Sequence, residues 1–126
     1  MEGFLYIFAT KSEKSRAKVS ATLQRLMERK KDRDQQTTFE AIQAQVKALT
    51  RWGTDPVTID LGEIRQPVLI VQGSNDEMMD SGSSQEIFKK IPNSILVYYP
   101  DSAHGSFFQY PDMFVQQANF FLDNFE

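Results

Sequence analysis

The sequence predicts an α/β fold in which helices come first and a strand–helix–strand–helix unit with parallel strands follows. Three observations lead there. Two short apolar runs rich in branched residues, Pro67-Val68-Leu69-Ile70-Val71 and Ser94-Ile95-Leu96-Val97-Tyr98-Tyr99, have the pattern of strands buried on both faces. Helical spacing occurs between these runs and again after the second. Ahead of them, residues 1–52 show only helical periodicity. The chain therefore divides into a helical stretch, 1–52, and an alternating stretch, 53–126.

In the first stretch, Ala17, Val19, Leu23, Leu26 and Met27 recur at helical steps after Thr10–Ser12, with Lys, Arg, Glu and Gln between them. That is an amphipathic helix with a modest apolar stripe. The charged run Lys30–Gln36 ends it. Thr37-Thr38-Phe39-Glu40 matches a capping box, in which a Thr hydroxyl covers an orphan amide and the Glu reaches back. Ile42, Val46 and Leu49 then share one face of a second helix running to about Arg51, which Trp52-Gly53-Thr54-Asp55-Pro56 breaks. Phe4, Tyr6 and Phe8 make the first residues an apolar segment in need of cover.

In the second stretch, Pro67 and Gly73 bound the first strand. A helix follows over Ser83–Ile91, with Lys89 and Lys90 suiting the negative end of its dipole, and Pro92-Asn93 stops it. The second strand covers Ser94–Tyr99, and a loop from Pro100 to Tyr110 leads to Pro111, a favoured first-turn residue. Phe114, Val115, Ala118, Phe121, Leu122 and Phe125 give the last helix a wide apolar face. Two strands separated by a helix imply a parallel crossover.

Composition narrows the function. With 40% hydrophobic and 25% charged residues, the 126-residue chain suits one globular core. A net charge of -3 favours neither nucleic acid nor an anionic membrane. Lys and Arg crowd residues 11–33, a run that reads as a solvated helical face. The absence of cysteine excludes a disulfide framework, a thiolate nucleophile and a thiolate metal site. A single histidine, His104, excludes a multi-histidine zinc site. The apolar N-terminus has no basic leading segment and is too short to span a bilayer, so a cytoplasmic location is expected.

The chemistry points to the strand ends. In an open parallel sheet, functional groups gather just beyond the carboxyl ends of the strands. One strand here is followed by Gly73-Ser74-Asn75-Asp76-Glu77, the other by Pro100-Asp101-Ser102-Ala103-His104-Gly105. Parallel strands bring Asp76 and His104 to one rim. A carboxylate accepting from an imidazole N–H orients the ring and stabilises the imidazolium formed when histidine acts as a base. Asp101 is a rival acid by nearness, though a role at the tip of the turn suits it better. Glu77 and Asp80 read as solvated carboxylates, and Met78 and Met79 as cleft-lining or packing residues.

Pro67-Val68-Leu69-Ile70-Val71-Gln72-Gly73-Ser74-Asn75-Asp76 and Asn93-Ser94-Ile95-Leu96-Val97-Tyr98-Tyr99-Pro100-Asp101-Ser102-Ala103-His104-Gly105 resemble the acid-bearing and histidine-bearing strands of the α/β-hydrolase fold. The likeness is to the branch of esterases, epoxide hydrolases and cofactor-free haloperoxidases. It implies a partial α/β-hydrolase fold, with residues 1–52 as cap-like helices, Asp76 as catalytic acid and His104 as catalytic base, and no cofactor. The implied reaction is hydrolysis of a small ester-like substrate through a covalent intermediate.

The departure from that family is large. No Gly-x-Ser-x-Gly nucleophile elbow occurs in the sequence. Ser102, Ser74, Ser81, Ser83 and Ser84 lie near the two loops, but none has the elbow context. The expectation is a truncated chain, or one whose nucleophile-bearing half is a separate polypeptide. It should then self-associate, as a homodimer or higher oligomer, or bind that complementary half. The alternative is a catalytically inactive remnant that self-associates or binds ligands.

Overall fold

Val68–Gly73 (β1) and Ser94–Tyr99 (β2) are the paired strands of the molecule, a computed structural model that describes residues 2–55 and 59–125. They run parallel, in register from Val68 opposite Ser94 to Gly73 opposite Tyr99. Both carboxyl ends therefore stop at the same level, as the order of elements requires. Ser81–Lys90 (α4) makes the crossover.

Among the described residues the other helices are Glu2–Phe8 (α1), Glu13–Glu28 (α2), Phe39–Thr54 (α3), Ser106–Gln109 (α5) and Pro111–Asn124 (α6), with a 3-10 turn at Leu61–Glu63. Helices therefore precede strands, as expected. Pro111 occupies the first turn of α6. The N-terminal apolar segment forms a helix of its own within the stretch expected to be helical, and one detail was not foreseen: the loop after β2 contains the single turn α5.

Contacts sort the chain into two units. One joins the residues up to Glu28 with those from Leu61 onward; the other is Arg29–Asp60. The sequence boundary at residue 52 thus differs from the structural one, because α1 and α2 pack on the strand-bearing part. Leu5, Ala9 and Val19 form a buried cluster there, flanked by Phe4, Phe8 and Leu23. Of the stripe expected on α2, Val19 and Leu23 face this cluster, joined by buried Ser15 and Thr22, while Leu26 and Met27 are exposed. Polar partners account for the difference: Ser15 Oγ donates to Gln109 Oε1 at 2.7 Å and Thr22 Oγ1 to the Phe108 carbonyl at 3.1 Å.

In the second unit, Thr38 caps α3, its hydroxyl accepting from Ala41 N at 3.2 Å. The cap falls one residue later than a Thr37–Glu40 box requires, which puts Ala41 rather than Glu40 three residues on. The helix continues through Trp52-Gly53 to Thr54 instead of breaking near Arg51. Thr54 Oγ1 bonds back to the Thr50 carbonyl, and Arg51 Nε meets Asp55 Oδ2 at 3.0 Å across one turn. Asp55 is extended (φ −79°, ψ 136°), the conformation favoured before proline; Pro56 itself lies outside the described residues. Phe39, Ile42, Val46, Leu49 and Trp52 are all exposed.

The strands are half-buried along most of their length rather than enclosed on both faces. Within the described residues they form a two-stranded sheet, so each has one edge unpaired. On α6, Phe114, Ala118 and Phe121 are half-covered, while Val115 and Leu122 of the expected face are exposed.

Candidate active site

The two loops beyond the strand ends are stitched together through the backbone. Ser74 N donates to the Tyr99 carbonyl and Asn75 N to the Ser102 carbonyl, both at 2.9 Å. Gly73 makes this approach possible, since a Cβ there would lie 2.2 Å from the Ala103 carbonyl oxygen and 2.4 Å from that of Ser102. Asp76 and His104 meet as a consequence: His104 Nδ1 lies 3.0 Å from Asp76 Oδ2.

Asp76 is buried and fully engaged. Its Oδ1 accepts from Met78 N and Met79 N, each at 3.0 Å, and Oδ2 also accepts from Gln72 Nε2 at 3.0 Å. Gln72 is held in turn, with Nε2 donating to the Met79 carbonyl at 3.1 Å and Oε1 accepting from buried Ser84 Oγ at 2.8 Å. A carboxylate with four donors around it has one orientation available. The tautomer this favours carries its proton on Nδ1 and leaves Nε2 as the acceptor. Nε2 has no hydrogen-bond partner among the described residues, and the His104 side chain is 31% exposed. Such an imidazole can take a proton from an incoming hydroxyl and return it to a leaving group.

Helix α1 covers the ring. Phe8 meets the imidazole edge-on, with centroids 5.4 Å apart, and the Ile7 carbonyl accepts from His104 N at 3.4 Å. Gly105 allows this packing, because a Cβ there would sit 3.0 Å from the Phe8 carbonyl oxygen. A groove of about 530 Å³ is lined by Leu5, Tyr6 and Ile7 of α1, by Met78, and by Asn75 and Ala103, the residues immediately before Asp76 and His104 in the chain.

The rival residues take other roles. Asp101 forms the tip of the turn at φ 47° and accepts from Thr10 Oγ1 and Ser12 Oγ, both at 2.6 Å. The Ser12 and Thr10 hydroxyls hold its carboxyl below the usual carboxylate range, with a smaller effect of Lys14. Asp80, read from sequence as solvated, is the N-cap of α4 and accepts from Gly82 N at 3.0 Å. Glu77 is exposed and lines the groove. Ser102 is wholly enclosed, its Oγ without a partner among the described residues, so it cannot meet a substrate. Ser84 is buried on Gln72, Ser81 donates to the Gly73 carbonyl at 2.9 Å, Ser74 is exposed in the turn, and Ser83 is exposed on α4.

Sequence reading missed Gln72 as part of the site, and it did not assign Ser84 or Phe8 the roles they take there, on Gln72 and on the imidazole. Gln72 did carry a signal, being the one polar residue at the end of an otherwise apolar strand and four residues before Asp76. The packing of Phe8 on the His104 ring had none, because the two lie 96 positions apart in the chain.

Comparison with known proteins adds a family. A family model described as alpha/beta hydrolase fold matches residues 2–111. A pimeloyl-[acyl-carrier protein] methyl ester esterase of Nitrosomonas europaea is 31% identical over 83 residues, which cover 66% of this chain and 32% of that protein. Among solved structures, an alpha/beta hydrolase fold protein from Chitinophaga pinensis superposes with a TM-score of 0.93 at 53% identity, covering 98% of this chain and 45% of its own. The chain thus spans about a third of the esterase and under half of the Chitinophaga protein.

Proposed function

Because the chain belongs to the α/β-hydrolase fold family, we propose that it supplies the general base, His104, and its orienting acid, Asp76, for hydrolysis of a carboxylic ester. The supporting observation is the 3.0 Å contact of His104 Nδ1 with an Asp76 carboxylate that three further N–H donors hold in place. The esterase relative supports an ester as the substrate class.

In this reading the nucleophile and the oxyanion-binding amides belong to the part of the family protein that these residues do not span. His104 Nε2 removes the proton of a serine-type hydroxyl as its oxygen attacks the ester carbonyl. The imidazolium, stabilised by Asp76, then protonates the departing alkoxide. Water, deprotonated by the same nitrogen, cleaves the acyl-enzyme and returns the nucleophile.

The test combines this chain, fused or co-expressed, with a segment corresponding to the remainder of the Chitinophaga relative, and assays a panel of chromogenic esters. Replacing His104 by Ala should lower kcat by roughly 10²–10⁴-fold. Asp76→Asn should fall by a comparable factor, because the amide presents an N–H where Nδ1–H needs an acceptor. Undiminished turnover in His104→Ala, or no hydrolysis of any ester by the combined protein, would reject the reading.

A further inference from the structure

We infer that Asp101, with Thr10 and Ser12, is a positioning group that sets His104, making the α1–α2 turn part of the acid–base apparatus. The inference rests on the proposed role of His104 and extends it to residues that never touch the imidazole.

The observation is a closed circuit of hydrogen bonds around the histidine loop. Thr10 Oγ1 donates to Asp101 Oδ1 at 2.6 Å. The Asp101 carbonyl accepts from Gln109 Nε2 at 2.7 Å, and Gln109 Oε1 accepts from Ser15 Oγ at 2.7 Å. Ser15 Oγ accepts from Thr10 N at 2.9 Å, which closes the ring. Ser12 cross-braces it, donating to Asp101 Oδ2 at 2.6 Å and accepting from Ser15 N at 3.0 Å. Asp101 and Gln109 lie three residues before and five after His104, so the circuit holds both ends of the loop that carries it.

Location gives the circuit its consequence. Ser15 and Gln109 are buried, so each bond there resists exchange with water. Asp101 has a left-handed backbone, an uncommon state for a residue with a side chain, and the two hydroxyls offset its cost. Asp76 is held from the other side by bonds that do not involve this circuit, through Gln72, Met78 and Met79. The 3.0 Å contact of the pair therefore depends on a separate brace in each loop as well as on the backbone bonds that join the two. Releasing one shifts the imidazole while the carboxylate stays. Misplacement on the scale of an ångström is enough to cost a proton transfer dearly.

His104 is the sole histidine of the chain, so its ring resonances are unambiguous in heteronuclear NMR. The 126-residue chain should show a downfield Nδ1–H signal and the tautomer protonated at Nδ1. In Thr10→Val, in Ser12→Ala and in Asp101→Ala, the Nδ1 proton should exchange with water faster, by on the order of tenfold in the last. Asp101→Asn tolerates the left-handed backbone and keeps one acceptor, so it should recover part of the protection. In the combined enzyme the same series should lower kcat and leave KM unchanged. Thr10→Val and Ser12→Ala each leave the other bond to Asp101 intact, so the test survives if Asp101→Ala fails to fold. Unchanged Nδ1–H exchange across the folded variants overturns the inference alone. A wild-type chain lacking the Nδ1–H signal instead overturns the role proposed for the His104–Asp76 pair.

Discussion

Gly73 makes the sharpest demand of any single residue. Its neighbours across the loop junction are backbone carbonyl oxygens, which cannot rotate away as a flexible side chain can. Gly73→Ala should therefore cost about 2–3 kcal/mol of stability, the upper part of the range for overpacking, read from the denaturation midpoint. A midpoint within experimental error of wild type would show that the loops can part without loss. Asp101 makes a different prediction. Its carboxyl lies below the ordinary value of 3.8 in the folded chain, so its contribution to stability is present above that pH. That contribution is lost as pH falls through the lower folded value. Asp101→Asn should flatten this part of the acid limb of a stability–pH profile, and an identical limb in both proteins would refute the assignment.

At the scale of elements, α2 separates what periodicity indicates from what packing selects. Val19 is completely enclosed, whereas Leu26, two helical turns further on, is 54% exposed. Val19→Ala should cost about 2 kcal/mol, while Leu26→Ala should stay within about 0.5 kcal/mol of wild type. Equal losses at both positions would mean that Leu26 is covered in solution. The short helices follow a similar logic. α1 makes neither a long nor a strongly patterned helix, yet Leu5 and Ala9 are buried and Phe8 lies against the catalytic-base candidate. Most of the stability of such a helix comes from what it packs against rather than from local propensity.

For the whole molecule, uncovered apolar surface dominates. Among the described residues each strand has one unpaired edge, and five apolar side chains of α3, Phe39, Ile42, Val46, Leu49 and Trp52, are exposed on their own unit. Unpaired edges and contiguous apolar patches both favour association. The purified chain should therefore run above 14.5 kDa by light scattering, with a mass that falls on dilution. A compact, cooperatively unfolding monomer at all concentrations would contradict this. No described helix is long and apolar enough to cross a membrane.

Much of this molecule was legible in its residues. The branched apolar runs located both strands, Pro111 located the start of α6, and the order strand–helix–strand implied the parallel pairing that brings Asp76 and His104 to one rim. Those features are local, since period, turn chemistry and crossover rules act over a few residues or one connection. The braces that hold the pair were not legible. Phe8 against His104, Thr10 and Ser12 on Asp101, and Ser15 on Gln109 each join residues about 90 positions apart. Only the folded chain could specify them, because hydrogen bonding and close packing at such separations depend on coordinates that no spacing rule encodes.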